Sequence, residues 1–229
     1  DANGISSTGW EPVEGKPTFR GSVMEHVLAR CATVEEAIAF FEAKGKARIK
    51  RDDRERIWYA DFLDFCRENQ VLATLLTPAG YGAADSRWDT WRICEFNEIL
   101  AFYGLHYWYT WQVTILGLGP IWMSKNEDIK VKTAKLLREG GIFAFGLSEK
   151  AHGADLYSSE MALTPLGQGR YVADGGKYYI GNANEAALVS TFGKDTETEY
   201  PAYITCCLRN PYESHAHKNS TNECSYPWP

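Results

Sequence analysis

Apolar residues in the first 140 positions recur three and four apart; beyond residue 142 they alternate or run in short blocks. Val34, Ala37, Ile38 and Phe41 make one helical stripe, with Thr33 and Glu36 spaced as a T-x-x-E capping box and Gly45 closing the segment. A second helix is expected from Asp53 to about Asn69, with Trp58, Phe62, Phe65 and Cys66 on one face. TPAGYGAADS, Thr77 to Ser86, is punctuated by Pro78, Gly80 and Gly82; it reads as a loop whose Asp85 or Ser86 caps the next helix, which carries Trp88, Trp91, Glu95, Ile99 and Phe102. Tyr107 to Met123 is apolar nearly all round, as a buried central helix would be, and weakens toward Gly117, Gly119 and Pro120. Asn126 is placed to cap a short amphipathic helix, Ile129 to Arg138, that Gly140 and Gly141 end.

Behind that glycine pair the period changes. IFAFGL is a short apolar run, SEMALTP alternates, RYVAD and KYYIG flank Gly175-Gly176 in the pattern of a β-hairpin, and AALVSTF, Ala186 to Phe192, supplies one more strand. Helices followed by antiparallel strands, with no βαβ alternation, is an α+β order. The expected organisation is an all-helical domain over 1–140 and a partial antiparallel β-barrel domain over 141–229. From Lys194 the chain turns polar and Pro-punctuated, so its last residues are expected outside the core, leaving a sheet edge open. That tail, and a first residue other than Met, give the expectation of a partial chain.

Composition narrows the classes. Apolar residues at 45% and aromatics at 14% argue against disorder over the whole chain. The net charge of −6 argues against nucleic acid, since the densest basic stretch, KGKARIKRDDRER from Lys44 to Arg56, is interrupted by acids and reads as a solvated face. No apolar run approaches the ~18 residues of a membrane span, and the first residues lack the basic and apolar regions of a signal peptide. Six scattered cysteines suit a reducing compartment, cytoplasmic or, in a eukaryote, the mitochondrial matrix.

The most informative stretch is Phe143 to Asn184. Leu147, Ser148, Glu149, Gly153 and Asp155 match a T/S-E-P-x-A-G-S-D turn, and GRYVADGGKYYIGNA matches G-x-Y-V-x-N-G-x-K-x-W-I-T-N-A, with Tyr179, Ile180 and Asn182 in its last part. Upstream, Pro78 to Gly82 resembles a P-x-x-Y-G-G loop and Glu95 to Leu100 the glutamate-rich helix that follows it. Over residues 55 to 193 the chain thus resembles the acyl-CoA dehydrogenase family. The resemblance implies FAD as cofactor and α,β-dehydrogenation of an acyl-CoA thioester to a trans-2-enoyl-CoA. It also implies an electron-accepting flavoprotein as partner, a homo-oligomer, and a catalytic carboxylate in a C-terminal bundle beyond this chain, so no catalytic base is nominated here. A flavin ring needs strand-end amides and a hydroxyl for its pyrimidine edge and an aromatic over its face. The family pattern puts Leu147 and Ser148 at that edge, Tyr179 against the ring, Ile180 and Gly181 near its redox-active nitrogen, Phe145 among the cofactor-binding residues, and His152, Gly153 and Ala154 beside the substrate. Gly181 replaces the pattern's Thr or Ser, Ala154 its Ser, Lys150 its Pro and Tyr179 its Trp.

Other readings carry less. Ser148, His152 and Asp155 lie on one loop, which cannot easily aim a nucleophilic triad. Cys206, Cys207, His215, His217 and Cys224 lack the spacing of a zinc site. Tyr103, Tyr107, Trp108, Tyr109 and Trp111 are expected in the core, with some lining an acyl cavity and favouring a short or shaped acyl group. Glu95 and Glu98 read as helix-surface charges. A related flavoenzyme (nitroalkane oxidase-like or monooxygenase-like) and a non-redox binding protein on the same fold are the alternatives.

Overall fold

The computed structural model describes residues 32–198 and two further strands, 201–206 and 223–225. Among the described residues seven helices precede the sheet: α1 (Ala32–Lys44), α2 (Lys46–Arg54), α3 (Ala60–Glu68), α4 (Val71–Leu76), α5 (Thr90–Tyr103), α6 (Leu105–Met123) and α7 (Glu127–Arg138). By contact the chain divides into Asp1–Gly45 and Lys46–Pro229. In the first unit α1 buries Val34, Ala37 and Phe41, and stops where Gly45 turns left-handed at φ +76°. Its start at Ala32 places Thr33 inside the first turn rather than ahead of it.

In the second unit the helix expected from Asp53 to Asn69 is two, α2 and α3, interrupted where Arg56 takes a φ of +55°. The polar run between buried Ile49 and half-exposed Ile57 has no apolar residue with which to continue a buried face. Helix α4 was not expected: five of its six residues are buried, so no polar face marks a period. Asp89, not Asp85 or Ser86, caps α5, its carboxylate accepting from the amides of Trp91 (3.0 Å) and Arg92 (3.4 Å). The buried stripe of α5 is Ile93, Phe96, Ile99 and Leu100, whereas Trp91 and Phe102 face outward.

The central helix is as expected. Tyr107 and Trp111 of α6 are fully buried, Tyr107 meeting Phe62 edge-on at 5.0 Å and Trp111 tilted against Phe96 at 4.7 Å. Asn126 caps α7, its side-chain oxygen accepting from the Ile129 amide at 3.2 Å. No helix of the described residues is long and apolar enough to cross a membrane.

The strands are β1 (Phe143–Gly146), β2 (Ala162–Gly167), β3 (Arg170–Asp174), β4 (Leu188–Asp195), β5 (Pro201–Cys206) and β6 (Glu223–Ser225), in the order β1-β4-β2-β3-β6-β5, with β5 also pairing with β4. The α+β class stands, but the sheet is mixed: β4 runs parallel to β1, Phe143 opposite Leu188, and to β2, while the remaining pairs are antiparallel. One residue pair, Thr205 with Ser225, joins β5 to β6, so the sheet curls without a continuous ladder to close it as a barrel. The hairpin lies elsewhere than expected. Strand β3 pairs with β2 around Gly167, Gln168 and Gly169, all at positive φ, and Lys177–Gly181 is not a strand.

Helix α6 lies on this sheet at very short range. A Cβ on Gly117 would stand 2.6 Å from the Ala144 carbonyl oxygen of β1, and the Gly117 carbonyl accepts from the Ser190 hydroxyl of β4 at 2.6 Å. The position of α6 is therefore fixed against the strands that lead into the candidate site.

Candidate functional site

The site begins where β1 ends. Leu147 and Ser148 are half-buried, and their carbonyls are taken: Lys177 Nζ donates to Leu147 O at 2.9 Å and the Tyr178 amide to Ser148 O at 2.8 Å. Their amides, and the Ser148 hydroxyl, have no hydrogen-bond partner among the described residues.

Glu149 follows, and it is the electrostatic centre. Its side chain and that of Lys177 are only 6% and 8% exposed and meet at 2.8 Å. The carboxylate also accepts from the Ser159 hydroxyl (2.5 Å) and the amides of Glu160 (2.7 Å) and Met161 (3.1 Å). Burial alone would raise this carboxyl; the Glu160 amide, the Lys177 ammonium, the Ser159 hydroxyl and the Met161 amide outweigh it and hold the group at about 2. One ion pair thereby ties together the end of β1, the entry to β2 and the segment after β3. Sequence reasoning assigned Lys177 no role, although it stands at the lysine of the matched G-x-K pattern; Ser159 carried no signal.

His152 sits on the next turn, its Nδ1 3.1 Å from Asp155 Oδ2 and its Nε2 3.3 Å from Glu160 Oε1. The bond to Asp155, then that to Glu160, raise its pKa from the ordinary histidine value. Gly153 and Ala154 are exposed beside it. Ser148 makes no bond to His152, so the structure assembles no triad on this loop. Glu149, His152 and Glu160 offer ligand atoms within 4.8 Å of one another, but the cation that Glu149 holds is Lys177. The cysteine and histidine side chains of the tail lie outside the described residues.

The segment 175–182 forms the second wall. Tyr178 is half-exposed, while Tyr179 is 86% exposed and left-handed at φ +59°, an unusual conformation for a bulky residue. Ile180 turns inward with Ala183 onto Ala144, Ala186 and Val189, and Phe145 is half-buried in β1. Gly181 abuts the Tyr109 ring of α6. Asn182, also left-handed at +62°, is buried and donates to Thr110 O of α6 (2.9 Å) and Phe143 O of β1 (3.0 Å). Tyr59 Oη and Thr110 Oγ1 share a hydrogen bond behind it.

Of the aromatic cluster, Tyr107 and Trp111 are core, whereas Tyr109 is 48% exposed. On α5, Glu95 is half-buried and Glu98 exposed; burial and then the Glu98 charge raise the Glu95 carboxyl. The loop at Pro78 is pinned to α7 by Tyr81, whose hydroxyl donates to Glu127 at 2.5 Å.

Strand-end amides and a Tyr109 phenol without a partner among the described residues, with the exposed Tyr179 ring, are the donor set that a planar heteroaromatic ring with a polar edge requires, so the residues present fit a flavin ring. Helices leading into a curled, mixed sheet are the architecture in which this site sits. The comparisons with known proteins bear on that fold. No protein-family model and no curated protein matches the chain, but solved structures do. Butyryl-CoA dehydrogenase from Megasphaera elsdenii aligns with a TM-score of 0.68 at 23% identity, covering 87% of this chain and 51% of that one. A chain from work on the electron transferring flavoprotein of Acidaminococcus fermentans aligns at 0.68 and 20%, covering 87% and 50%. A glutaryl-CoA dehydrogenase from Mycobacterium smegmatis, in complex with FADH2, aligns at 0.65 and 17%, covering 77% and 45%. The chain spans about half the length of these structures, and at such identities the likeness is one of fold.

Proposed function

We propose that this chain is part of a flavin-dependent acyl-CoA dehydrogenase, with residues 1–140 as its helical domain and 141–229 as part of its β domain. The observation that carries the reading is the pair of segments, 147–148 and 177–182, held together by Glu149 and Lys177 and furnished with amides that have no partner among the described residues, a serine hydroxyl and an exposed tyrosine. In this reading the Leu147 and Ser148 amides and the Ser148 hydroxyl hold the pyrimidine edge of FAD, with Phe145 behind them. Tyr179 would cover the ring, and Ile180 and Gly181 would lie near its redox-active nitrogen. FAD held by these residues would supply a hydride acceptor for α,β-dehydrogenation of an acyl-CoA to a trans-2-enoyl-CoA, with a carboxylate taking the α-proton.

His152, with Gly153 and Ala154, lines the way to that ring and meets the acyl-CoA; a protonated His152 suits its phosphates. Glu149 is not the base, because a carboxylate held near 2 beside an ammonium has little tendency to take a proton at neutral pH. An electron-accepting flavoprotein would reoxidise the flavin, and the family's homo-oligomeric assembly is expected.

The test is flavin uptake by the purified full-length protein, followed by flavin fluorescence and visible absorbance, then addition of acyl-CoA thioesters of graded length. Uptake weakened by Ser148→Ala and Tyr179→Ala, with bleaching by one class of thioester, supports the assignment. A full-length protein that takes up no flavin refutes it.

A further inference from the structure

Gly181 is a glycine for a reason outside its own backbone. It has no left-handed φ to demand one, yet a Cβ at this position would stand 2.6 Å from Tyr109 Oη, 2.8 Å from its Cε1 and 3.0 Å from its Cζ. Those separations are below van der Waals contact, so a side chain at 181 and the Tyr109 phenol compete for one volume. Tyr109 is also the member of the α6 aromatic run that does not behave as core. Tyr107 and Trp111 are sealed, while Tyr109 is half-exposed and its hydroxyl has no partner among the described residues. Its place is fixed by the next residue: the Thr110 carbonyl accepts from Asn182 Nδ2 at 2.9 Å, registering 109–110 of the helix against 181–182 of the loop.

We propose that Tyr109 and Gly181 are a matched pair in which the phenol of α6 supplies, in the volume beside Gly181, the hydroxyl that the loop lacks at residue 181, and presents it to a ring nitrogen of the bound flavin. The proposal rests on the flavin reading above and adds a cofactor-binding residue to it. A phenol carried on a helix is both donor and acceptor, so it can serve a ring nitrogen that is an acceptor in the oxidised ring and carries a proton in the reduced one. A rigid helical support also fixes the hydroxyl more firmly than a rotatable side chain on an irregular loop would.

The test compares FAD binding, the visible spectrum and the reduction potential of the bound flavin across variants of the full-length protein. Tyr109→Phe keeps the ring and removes the hydroxyl; it is expected to weaken FAD binding about fivefold to tenfold and to shift spectrum and potential, as loss of one hydrogen bond does. Gly181→Ser is expected to lower the melting temperature through the clash. Gly181→Ser with Tyr109→Ala makes room, returns a hydroxyl to the loop and is expected to recover both melting temperature and flavin spectrum. A Tyr109→Phe protein that binds FAD with unchanged affinity, spectrum and potential overturns the proposal while leaving the flavin reading intact. Wild-type protein that binds no FAD refutes that reading, and the ligand role of Tyr109 falls with it.

Discussion

Replacing Lys177 by Met would leave the Glu149 carboxylate buried with three hydrogen-bond donors and without the ammonium that contacts it. Removing one partner of a buried ion pair costs about 3–5 kcal/mol, because the remaining charge stays desolvated. The proton linkage of Glu149 is a separate quantity, to which the Glu160 amide contributes first and Lys177, Ser159 and Met161 after it. Its carboxyl lies at about 2 against an ordinary 4.5, which corresponds to roughly 3 kcal/mol of stability. Since the folded value is depressed, that contribution is complete above about 4.5 and is lost as the pH falls toward 2. Urea denaturation of wild type, Lys177→Met and the double variant Glu149→Leu/Lys177→Met, at neutral pH and at steps down to pH 2.5, measures both effects. Lys177→Met should lose about 3 kcal/mol or more at neutral pH, and the double variant, with neither charge left buried, should recover much of it. A Lys177→Met loss under about 1 kcal/mol, or a wild-type stability that stays flat between pH 4.5 and 2.5, would refute the reasoning.

Four further outcomes follow from particular contacts. Asn182→Ala removes the donor to two buried carbonyls and puts a residue with a β-carbon and no local hydrogen bond at φ +62°; a loss of about 2–4 kcal/mol in urea is expected, and one below ~0.5 kcal/mol would contradict the contacts. Gly117→Ala drives a methyl group into the Ala144 backbone and should destabilise by at least ~1–3 kcal/mol, read as a fall in melting temperature. Asp155→Asn should lower the His152 pKa in a proton NMR titration; because the folded value is raised, the stabilisation from protonated His152 is present below the ordinary value of 6.5 and fades as pH rises through the folded one. An unmoved titration would show that the Asp155 bond is not its cause. A thiol reagent on the native protein, read by peptide mapping, should modify exposed Cys94 and spare Cys66, whose burial pushes its thiol up, until denaturant is added.

Much of this architecture was legible because it is periodic. The stripe of α1, the apolar sweep of α6, the Asn126 cap and the blocks of β1, β2 and β4 each announce themselves through spacing or a polar residue with one obvious use. The errors occur where that signal fails. Helix α4 is apolar on every side and shows no period, and the α5 aromatics Trp91 and Phe102 are large enough to suggest a core that the smaller Ile93 and Leu100 occupy instead. Parallel pairing of β1 with β4 joins strands some forty residues apart, which no local pattern encodes. The motif residues Leu147, Ser148 and Asn182 could be found by resemblance, and Tyr109 belongs to an aromatic run that the sequence marks, but Ser159 meets Glu149 only through tertiary packing.

The segment after β3 shows why the site was harder to read than the fold. KYYIG looks like a strand because it is β-rich and follows a glycine pair, and a strand there would have paired with β3. Strand β3 is already engaged with β2 and β6 on its two edges, so the segment has no edge to join. It is held by side chains instead: Lys177 to Glu149 and Leu147 at one end, Asn182 to Thr110 and Phe143 at the other. Between those anchors the backbone turns left-handed at Tyr179, which sends the aromatic ring outward while Ile180 packs inward. A regular strand would alternate its side chains but could not place two anchors, an exposed ring and a glycine against Tyr109 within six residues. The irregular backbone is stabilised by the buried ion pair and the amide bonds of Asn182, so weakening either anchor should disturb ligand binding before it unfolds the sheet.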